Sequence, residues 1–311
     1  TRKIILLLNV SRRCYISLVE GQYLNKRLKK ILSDIIPPED LTYIYNSYDI
    51  VGDIAILRLT DISRKYSATI AEAVMDMHKN VRTMLAQTSP VHGDFRLRKL
   101  EYVRGENKTN TFHKESGCLF SVDVEKCYFS PRLFYERTRI ARHVKNGEII
   151  VNMFAGVGCF SIIIAKHSNA KKVYSIDVNP QTIHHMQENV RLNRAYGRVI
   201  PMLGDAKEVI EKRLCHLADR VLMPLPEKAL DYLPYALIAL KEASGWIHYY
   251  DFEHAKQDEN PIEKVKSKVA EKLRSLDVDF EIPFGHVVRS TGPNWYQVVL
   301  DIKAILAETK L

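Results

Sequence analysis

Ile149-Ile150-Val151-Asn152-Met153-Phe154-Ala155-Gly156-Val157-Gly158-Cys159-Phe160-Ser161 runs from an apolar, β-branched stretch through a glycine-bearing turn into a helix start. Glycine lets a backbone approach a ligand closely and aim its peptide N–H groups there, where a side chain would collide. Gly156 and Gly158 are two of the three glycines of a dinucleotide fingerprint, so alone the stretch reads equally as an ordinary strand-to-helix turn. Two aspartates downstream shift the balance. Asp177 closes the next strand, nineteen residues after Gly158, where a carboxylate accepts hydrogen bonds from ribose hydroxyls. Asp205, after Gly204, closes the following strand in the same manner. One such aspartate is accounted for as a cap on the helix that follows it; two at successive strand ends point to a nucleoside-like ligand.

Outward from the turn the chain keeps a regular rhythm. Apolar, β-rich runs at 148–154, 172–178, 198–203, 220–225 and 245–252 alternate with helical stretches at 161–167, 180–193, 206–214 and 228–241. This alternation is the mark of βαβ units and a parallel sheet. A Lys/Glu-rich helix over 261–276 follows. The chain then closes on strands near 280–288 and 295–302, whose short link through Ser290, Thr291, Gly292 and Pro293 predicts an antiparallel pair. A mostly parallel sheet ending in an antiparallel hairpin is the outline of the α/β class I methyltransferase fold, Rossmann-like in its winding, an analogy at the level of fold. We place that domain at 125–311. Strands at 49–59 and 95–103 flanking a helix at 68–85 predict a smaller α/β domain over 46–124. Residues 1–45, rich in Lys, Arg and Leu, read as a short extension or a reduced domain.

At 311 residues the chain can bury a core without staples. Its five cysteines (Cys14, Cys118, Cys127, Cys159, Cys215) are odd in number and scattered, with no CxxC pair and no Cys/His cluster at zinc spacing. Reduced thiols and no metal site are expected. No apolar run is long enough to cross a bilayer, and residues 4–8 are too few for a signal peptide, so a soluble, cytoplasmic, monomeric protein is expected. A formal charge of +9 suits a polyanionic partner through counterion release, without distinguishing RNA from DNA or from a merely basic surface.

The most informative local sequence is Cys127-Tyr128-Phe129-Ser130-Pro131-Arg132-Leu133-Phe134-Tyr135-Glu136-Arg137, within a helical stretch drawn over 125–146. Ser130 before Pro131 signals a helix start. Arg132 and Glu136, four apart, would share a helix face as a surface ion pair worth about 0.3–0.5 kcal/mol.

In order along the chain, Thr111-Phe112-His113-Lys114-Glu115-Ser116-Gly117-Cys118-Leu119-Phe120-Ser121-Val122-Asp123, Tyr128 to Leu133, Glu136-Arg137 and Met153 to Gly158 resemble the tRNA guanine-37 N1-methyltransferases of archaea and eukaryotes. The resemblance extends to Asp49 through Ala55, to Phe95-Arg96-Leu97-Arg98 and to His248 through Phe252, and covers residue 46 to the end. The first 45 residues do not match the family's domain for the tRNA elbow. The resemblance implies S-adenosyl-L-methionine as cofactor and tRNA as partner, bound through position 37 of its anticodon loop. It makes Glu136 the general base for the N1 proton and Arg96 the group stabilising charge at O6. It makes Tyr128 and Arg132 the shapers of the base pocket. With Gly156 and Gly158 of the turn, it assigns Arg137, Phe154, Asp177, Val178, Asp205 and Ala206 to the cofactor. From the residues alone, Arg96 beside Arg98 and Lys99 reads equally as a phosphate-contacting basic strand. Tyr128, Phe129, Trp295 and Tyr296 offer stacking faces for a base turned out of its stack, although each is more often core.

Two positions depart from the family pattern. Pro224, in Met223-Pro224-Leu225-Pro226, stands where the guanine-37 enzymes carry asparagine, removing an amide that could meet a guanine edge. That version resembles the archaeal subgroup that also methylates C7 of 4-demethylwyosine, the tricyclic base made from the same guanosine. Asn152 stands where an aspartate begins the cofactor motif. The competing readings are the wyosine-pathway aminocarboxypropyltransferase and a non-catalytic tRNA-binding protein.

Overall fold

In a computed structural model the described residues are 28–242 and 244–306; Cys14 and the stretch at 4–8 lie outside them. Two compact units divide the chain, one of residues up to 92 plus 97–111, the other of 93–96 plus 112 onward.

In the smaller unit, β1 (Tyr48–Val51) and β2 (Ile54–Arg58) pair antiparallel across the turn at Gly52, which takes a φ of 59°. The single strand expected over 49–59 is therefore a hairpin. Helix α1 (Ser67–Met77) crosses to β3 (Thr83–Gln87), parallel to β2, so the helix drawn over 68–85 stops where its last apolar residues are needed as a sheet strand. The antiparallel β4 (Leu100–Gly105) begins five residues after the expected start. Leu28, Leu32, Ile36 and Ile44 are buried in the same core as Ala55, Leu57, Ile70 and Met84.

The chain then forms β5 (Asn110–Glu115) and β6 (Cys118–Asp123), joined at Ser116 and Gly117, both with positive φ, as a tight two-residue hairpin turn requires. Helix α2 (Phe134–His143) follows. The rest alternates: β7 (Ile149–Asn152), α3 (Cys159–His167), β8 (Lys172–Asp177), α4 (Pro180–Leu192), β9 (Val199–Leu203), α5 (Ala206–Arg213), β10 (Arg220–Met223), α6 (Ala229–Ala239), β11 (Ser244–His254), α7 (Pro261–Ser275), β12 (Asp279–Gly292) and β13 (Trp295–Ile305). The sheet order is β12-β13-β11-β10-β7-β8-β9, parallel from β11 to β9 and antiparallel at β13 and β12. This is the class I methyltransferase sheet anticipated from the alternation. On one face, Ile210, Leu233 and Val269 of three helices share a core with Val151, Val221, Ile247 and Leu300 of four strands. No helix among the described residues is long and apolar enough to cross a membrane.

The free edge of β6 is covered by two side chains at the end of α4, Asn189 within the helix and Asn193 at its C-cap. Asn189 accepts from the Ser121 N–H at 2.6 Å and donates to the Ser121 carbonyl at 3.0 Å, and Asn193 does the same for Leu119 at 2.9 and 2.7 Å. One helical turn advances about as far as two strand residues, so amides four apart on a helix match backbone groups two apart on a strand.

A buried chain of charges crosses the sheet. Arg139 of α2 donates to Glu136 and, through two nitrogens at 2.6 and 3.1 Å, to Asp301 of β13. The Nδ1–H of His248 donates to Asp301 at 2.6 Å, while its Nε2 accepts from Arg220 at 2.6 Å, and Arg220 also binds Glu148. With an arginine N–H on one ring nitrogen, the imidazole is neutral, and burial holds its pKa down at about 4. Burial alone would raise the Asp301 carboxyl, but His248 and Arg139 outweigh it and hold it below the ordinary aspartate value. As pH falls from 6.5 toward 4 the unfolded chain binds a proton at His248 that the folded chain refuses. This group therefore removes up to about 1.4 kcal/mol of stability per pH unit across that window. Asp301 contributes its loss only at lower pH. In denaturant titrations from pH 7 to 4, His248→Asn, which retains a donor and an acceptor, is expected to flatten the wild-type slope.

Candidate active site

The carboxyl ends of β7, β8, β9 and β10 open on one cleft of about 850 Å³, counting its mouth, lined by the residues at or just beyond the end of each strand: Met153 and Phe154, Asp177 and Val178, Gly204 and Asp205, Pro224 and Leu225. Here the sheet order reverses direction, with β7 flanked by β8 and β10, and such a switch point leaves a crevice between helices leaving on opposite faces.

The two glycines of the turn do different work. Gly156 lines the cleft with φ 56°, and a Cβ there would meet nothing nearer than the Tyr128 carbonyl at 3.9 Å, so a side chain would project into the space a ligand takes. Gly158, φ 90°, is the N-cap of α3, and a Cβ would lie 2.8 Å from Met186 of α4. Its smallness serves packing.

Both Asp177 oxygens face backbone donors, Oδ2 accepting from Gly156 at 2.8 Å and Oδ1 from Asn179 at 3.0 Å. Burial raises its carboxyl, and the N–H groups of Asn179, Gly156 and Val178 only partly offset this; hydroxyl donors from a ligand would offset more. The capping explanation fails for Asp177, because Asn179 caps α4. It holds for Asp205, the N-cap of α5, which accepts from Lys207 N–H at 2.8 Å and from the Tyr232 hydroxyl at 2.7 Å. The Tyr232 ring stands edge-on to Phe154, centroids 5.2 Å apart. Val178 is exposed, and Ala206 is a buried part of the same wall.

The same cleft is lined by Arg96, Tyr128 and Pro224. Arg96 belongs to a turn at 93–96 and not to a strand, in a left-handed conformation with φ 53°. Its guanidinium lies 4.1 Å over the Tyr128 ring and donates to Glu227 at 2.9 Å. Asp94 of the same turn binds Lys228 at 2.6 Å.

Four of the residues taken from the sequence do not line this cleft, Gly158 of the turn and three others. Glu136 is 1% exposed, and its carboxylate accepts from the Tyr250 hydroxyl at 3.0 Å and pairs with Arg139 at 3.0 Å and His286 at 2.9 Å. Burial would raise its pKa, but His286 and Arg139 prevail and lower it. The surface ion pair drawn for Glu136 is replaced by this buried set. Its helix starts only at Phe134, and Pro131–Leu133 form a 3-10 turn, so four-residue α-helical spacing does not hold back to Arg132, which is exposed. Ser130 sits at the cap position of that turn without making a side-chain cap bond. Arg137 is buried against Phe129 and Phe160, donating to the Glu115 carboxylate and to the Ser130 carbonyl at 2.8 Å, and so fixes the segment that carries Tyr128. Of the stacking candidates, Phe129 is core and Trp295 stands on the β12–β13 hairpin beside His254.

The family description "TRM5/TYW2 methyltransferase domain" matches residues 111–278, and "TYW2 N-terminal domain" matches residues 28–109. The chain belongs to the TRM5/TYW2 methyltransferase family. Among its relatives, tRNA (guanine(37)-N(1))-methyltransferase Trm5b of Pyrococcus abyssi is 35% identical over 86% of this chain and 78% of its own. The tRNA 4-demethylwyosine(37)-methyltransferase Taw21 of Saccharolobus solfataricus is 36% identical over 86% of this chain and 97% of its own. The crystal structure of Methanocaldococcus jannaschii Trm5 in complex with adenosine superposes with a TM-score of 0.72 at 34% identity, covering 88% of this chain and 77% of that one.

Sequence reasoning missed Asp94, Phe95, Thr182, Lys228 and Tyr232 in the cleft wall. Lys228 and Tyr232, four apart where α6 begins behind Pro224, carried a helical signal; Phe95 stood in a segment that carried the resemblance without a role of its own, and Asp94 carried no signal, since outside its own turn its neighbours in the cleft lie more than thirty residues away in sequence. Gly158→Ala is expected to cost roughly 2–4 kcal/mol through overpacking and left-handed strain. Gly156→Ala, strained only, should cost about 1 kcal/mol; equal losses in thermal unfolding would contradict this division of labour.

Proposed function

We propose that this chain uses S-adenosylmethionine to methylate N1 of guanine-37 in the anticodon loop of tRNA. The observation that carries the reading is one cleft with two stretches of wall in its lining, the first of Gly156, Asp177 and Asp205 and the second of Arg96 stacked on Tyr128. The first wall fits an adenosine group: Gly156 leaves open the space a side chain would fill, and Asp177 is a half-buried carboxylate in the lining whose backbone donors only partly offset the rise that burial imposes on its pKa. The cofactor supplies an electrophilic methyl on a sulfonium. Asp177 would accept from the ribose hydroxyls, and Phe154, Val178 and Ala206 would flank the adenine. A relative holding adenosine supports this use of the wall.

On the second wall Arg96 would donate to O6 as negative charge gathers there, held in place by the Tyr128 face. The N1–H proton must leave as the N1 lone pair bonds to the methyl carbon, while the bonding pair returns to sulfur. Glu136 remains the proposed acceptor of that proton. It is ionised, as a base must be, and to act it must exchange His286 for the incoming base. Glu136→Gln is expected to lower kcat about 100-fold or more with cofactor affinity unchanged in calorimetry; full activity would move the base elsewhere. Asp177→Asn should weaken cofactor binding by roughly 10- to 100-fold, because an amide nitrogen cannot accept from the backbone donor that faces it.

Pro224 in the cleft wall favours a second substrate, 4-demethylwyosine at the same position, methylated at C7. Proline brings no polar edge, which suits a base whose own edge is closed into a third ring, and the likeness to Taw21 supports it. Labelled cofactor with tRNA carrying guanosine or 4-demethylwyosine, followed by nucleoside mass analysis, tests both readings. The same analysis separates methyl from aminocarboxypropyl transfer. Pro224→Asn is expected to depress transfer to the tricyclic base while sparing guanosine.

A further inference from the structure

The loop behind β10 and the turn at 93–96 exchange two ion pairs, Arg96 with Glu227 and Lys228 with Asp94. Leu225 and Lys228, on either side of Glu227, both line the cleft, and the Glu227 carboxylate is about half exposed, meeting Arg96 through Oε1. Arg96 is the more buried partner, and its Nε is buried without an acceptor. A donor that lines the cleft and an acceptor bound to it thus stand side by side, each using the other.

We propose that Glu227 is a specificity-determining residue that accepts from the exocyclic amino group of guanine, while Arg96 donates to O6 of the same base. This deepens the reading of the cleft as a guanine site and rests on it. The Watson–Crick edge of guanine presents an acceptor at O6 and donors at N1 and N2, the complement of an arginine beside a carboxylate. On entry, the base replaces the Arg96–Glu227 bond with one bond to each partner and leaves N1 between them, open to the methyl. Adenine presents an amino donor toward Arg96 and only a C–H toward Glu227, so both charges lose a partner. The proline at 224 fits this division of work, since the residue that reads the amino group then stands three positions further along the loop.

The experiment compares methyl transfer to tRNA bearing guanosine or inosine at position 37, inosine lacking only the amino group. Wild type is expected to favour guanosine by about 10- to 100-fold in kcat/KM. Glu227→Ala should lose most of that advantage by falling on guanosine while staying within about twofold on inosine. Glu227→Gln, which keeps an acceptor oxygen, should retain a clear preference. Thermal unfolding and cofactor calorimetry of each variant report whether the fold and the first wall are intact. Equal loss on both bases overturns the inference, because that is the effect of merely loosening Arg96. Equal rates on the two bases in wild type also overturn it while leaving the guanine-37 reading standing. Transfer to neither base overturns that reading and the inference together.

Discussion

The buried chain from Glu136 through Arg139, Asp301, His248 and Arg220 to Glu148 is the constraint on which the larger unit depends. It runs from α2 across β13, β11 and β10 to the start of β7, and it joins the antiparallel end of the sheet to its parallel middle. His248 and Asp301 are direct partners in the β11–β13 register. A slip of one residue would turn Asp301 to the other face and strand Arg139 and Arg220 in the interior. Removing one member of such a set leaves an uncompensated buried charge, a loss of roughly 3–5 kcal/mol, although the set as a whole contributes little net stability over an apolar one. Its physical role is to make one register far better than its neighbours.

With that register fixed, β7 and β10 lie side by side and the strand ends that carry Asp177, Asp205 and Pro224 converge. The two walls then differ in kind. The Asp177 wall is made of backbone N–H groups, a capped helix and a glycine with space in front of it, all set by local conformation. The Arg96 wall is made of charged side chains on two loops, held by ion pairs and by the face of one tyrosine. A wall of the first kind keeps its shape without a ligand; one of the second kind can exchange partners when a ligand brings its own.

The same contrast decides what was legible in the sequence. The alternation of strands and helices, the sheet class, the glycine turn and Asp177 follow from periodicity and spacing over a few tens of residues. The helix drawn over 125–146 is overlong because residues 124–127 form a turn and Pro131 opens a 3-10 turn after an extended Ser130. Arg96 was placed on a strand because its neighbours are apolar and basic, whereas its left-handed backbone depends on partners at Tyr128 and Glu227. The burial of Glu136 could not be read either: its partners Tyr250 and His286 are 114 and 150 residues away, and at four-residue spacing the nearer Arg132 looked like the match. Arg137 shows the converse, a residue in a family motif whose placement here is explained by holding Ser130 and the tyrosine two positions before it.

Asn189 and Asn193 close the exposed edge of β6 with side chains instead of with a strand. An unpaired strand edge is a template on which another chain can add itself, and here that template is occupied by a helix fixed elsewhere in the sheet. The surface of the β5–β6 hairpin is thereby kept from self-recognition, so its guard against aggregation resides in two amides of a distant helix and would be lost with them even if the fold survived.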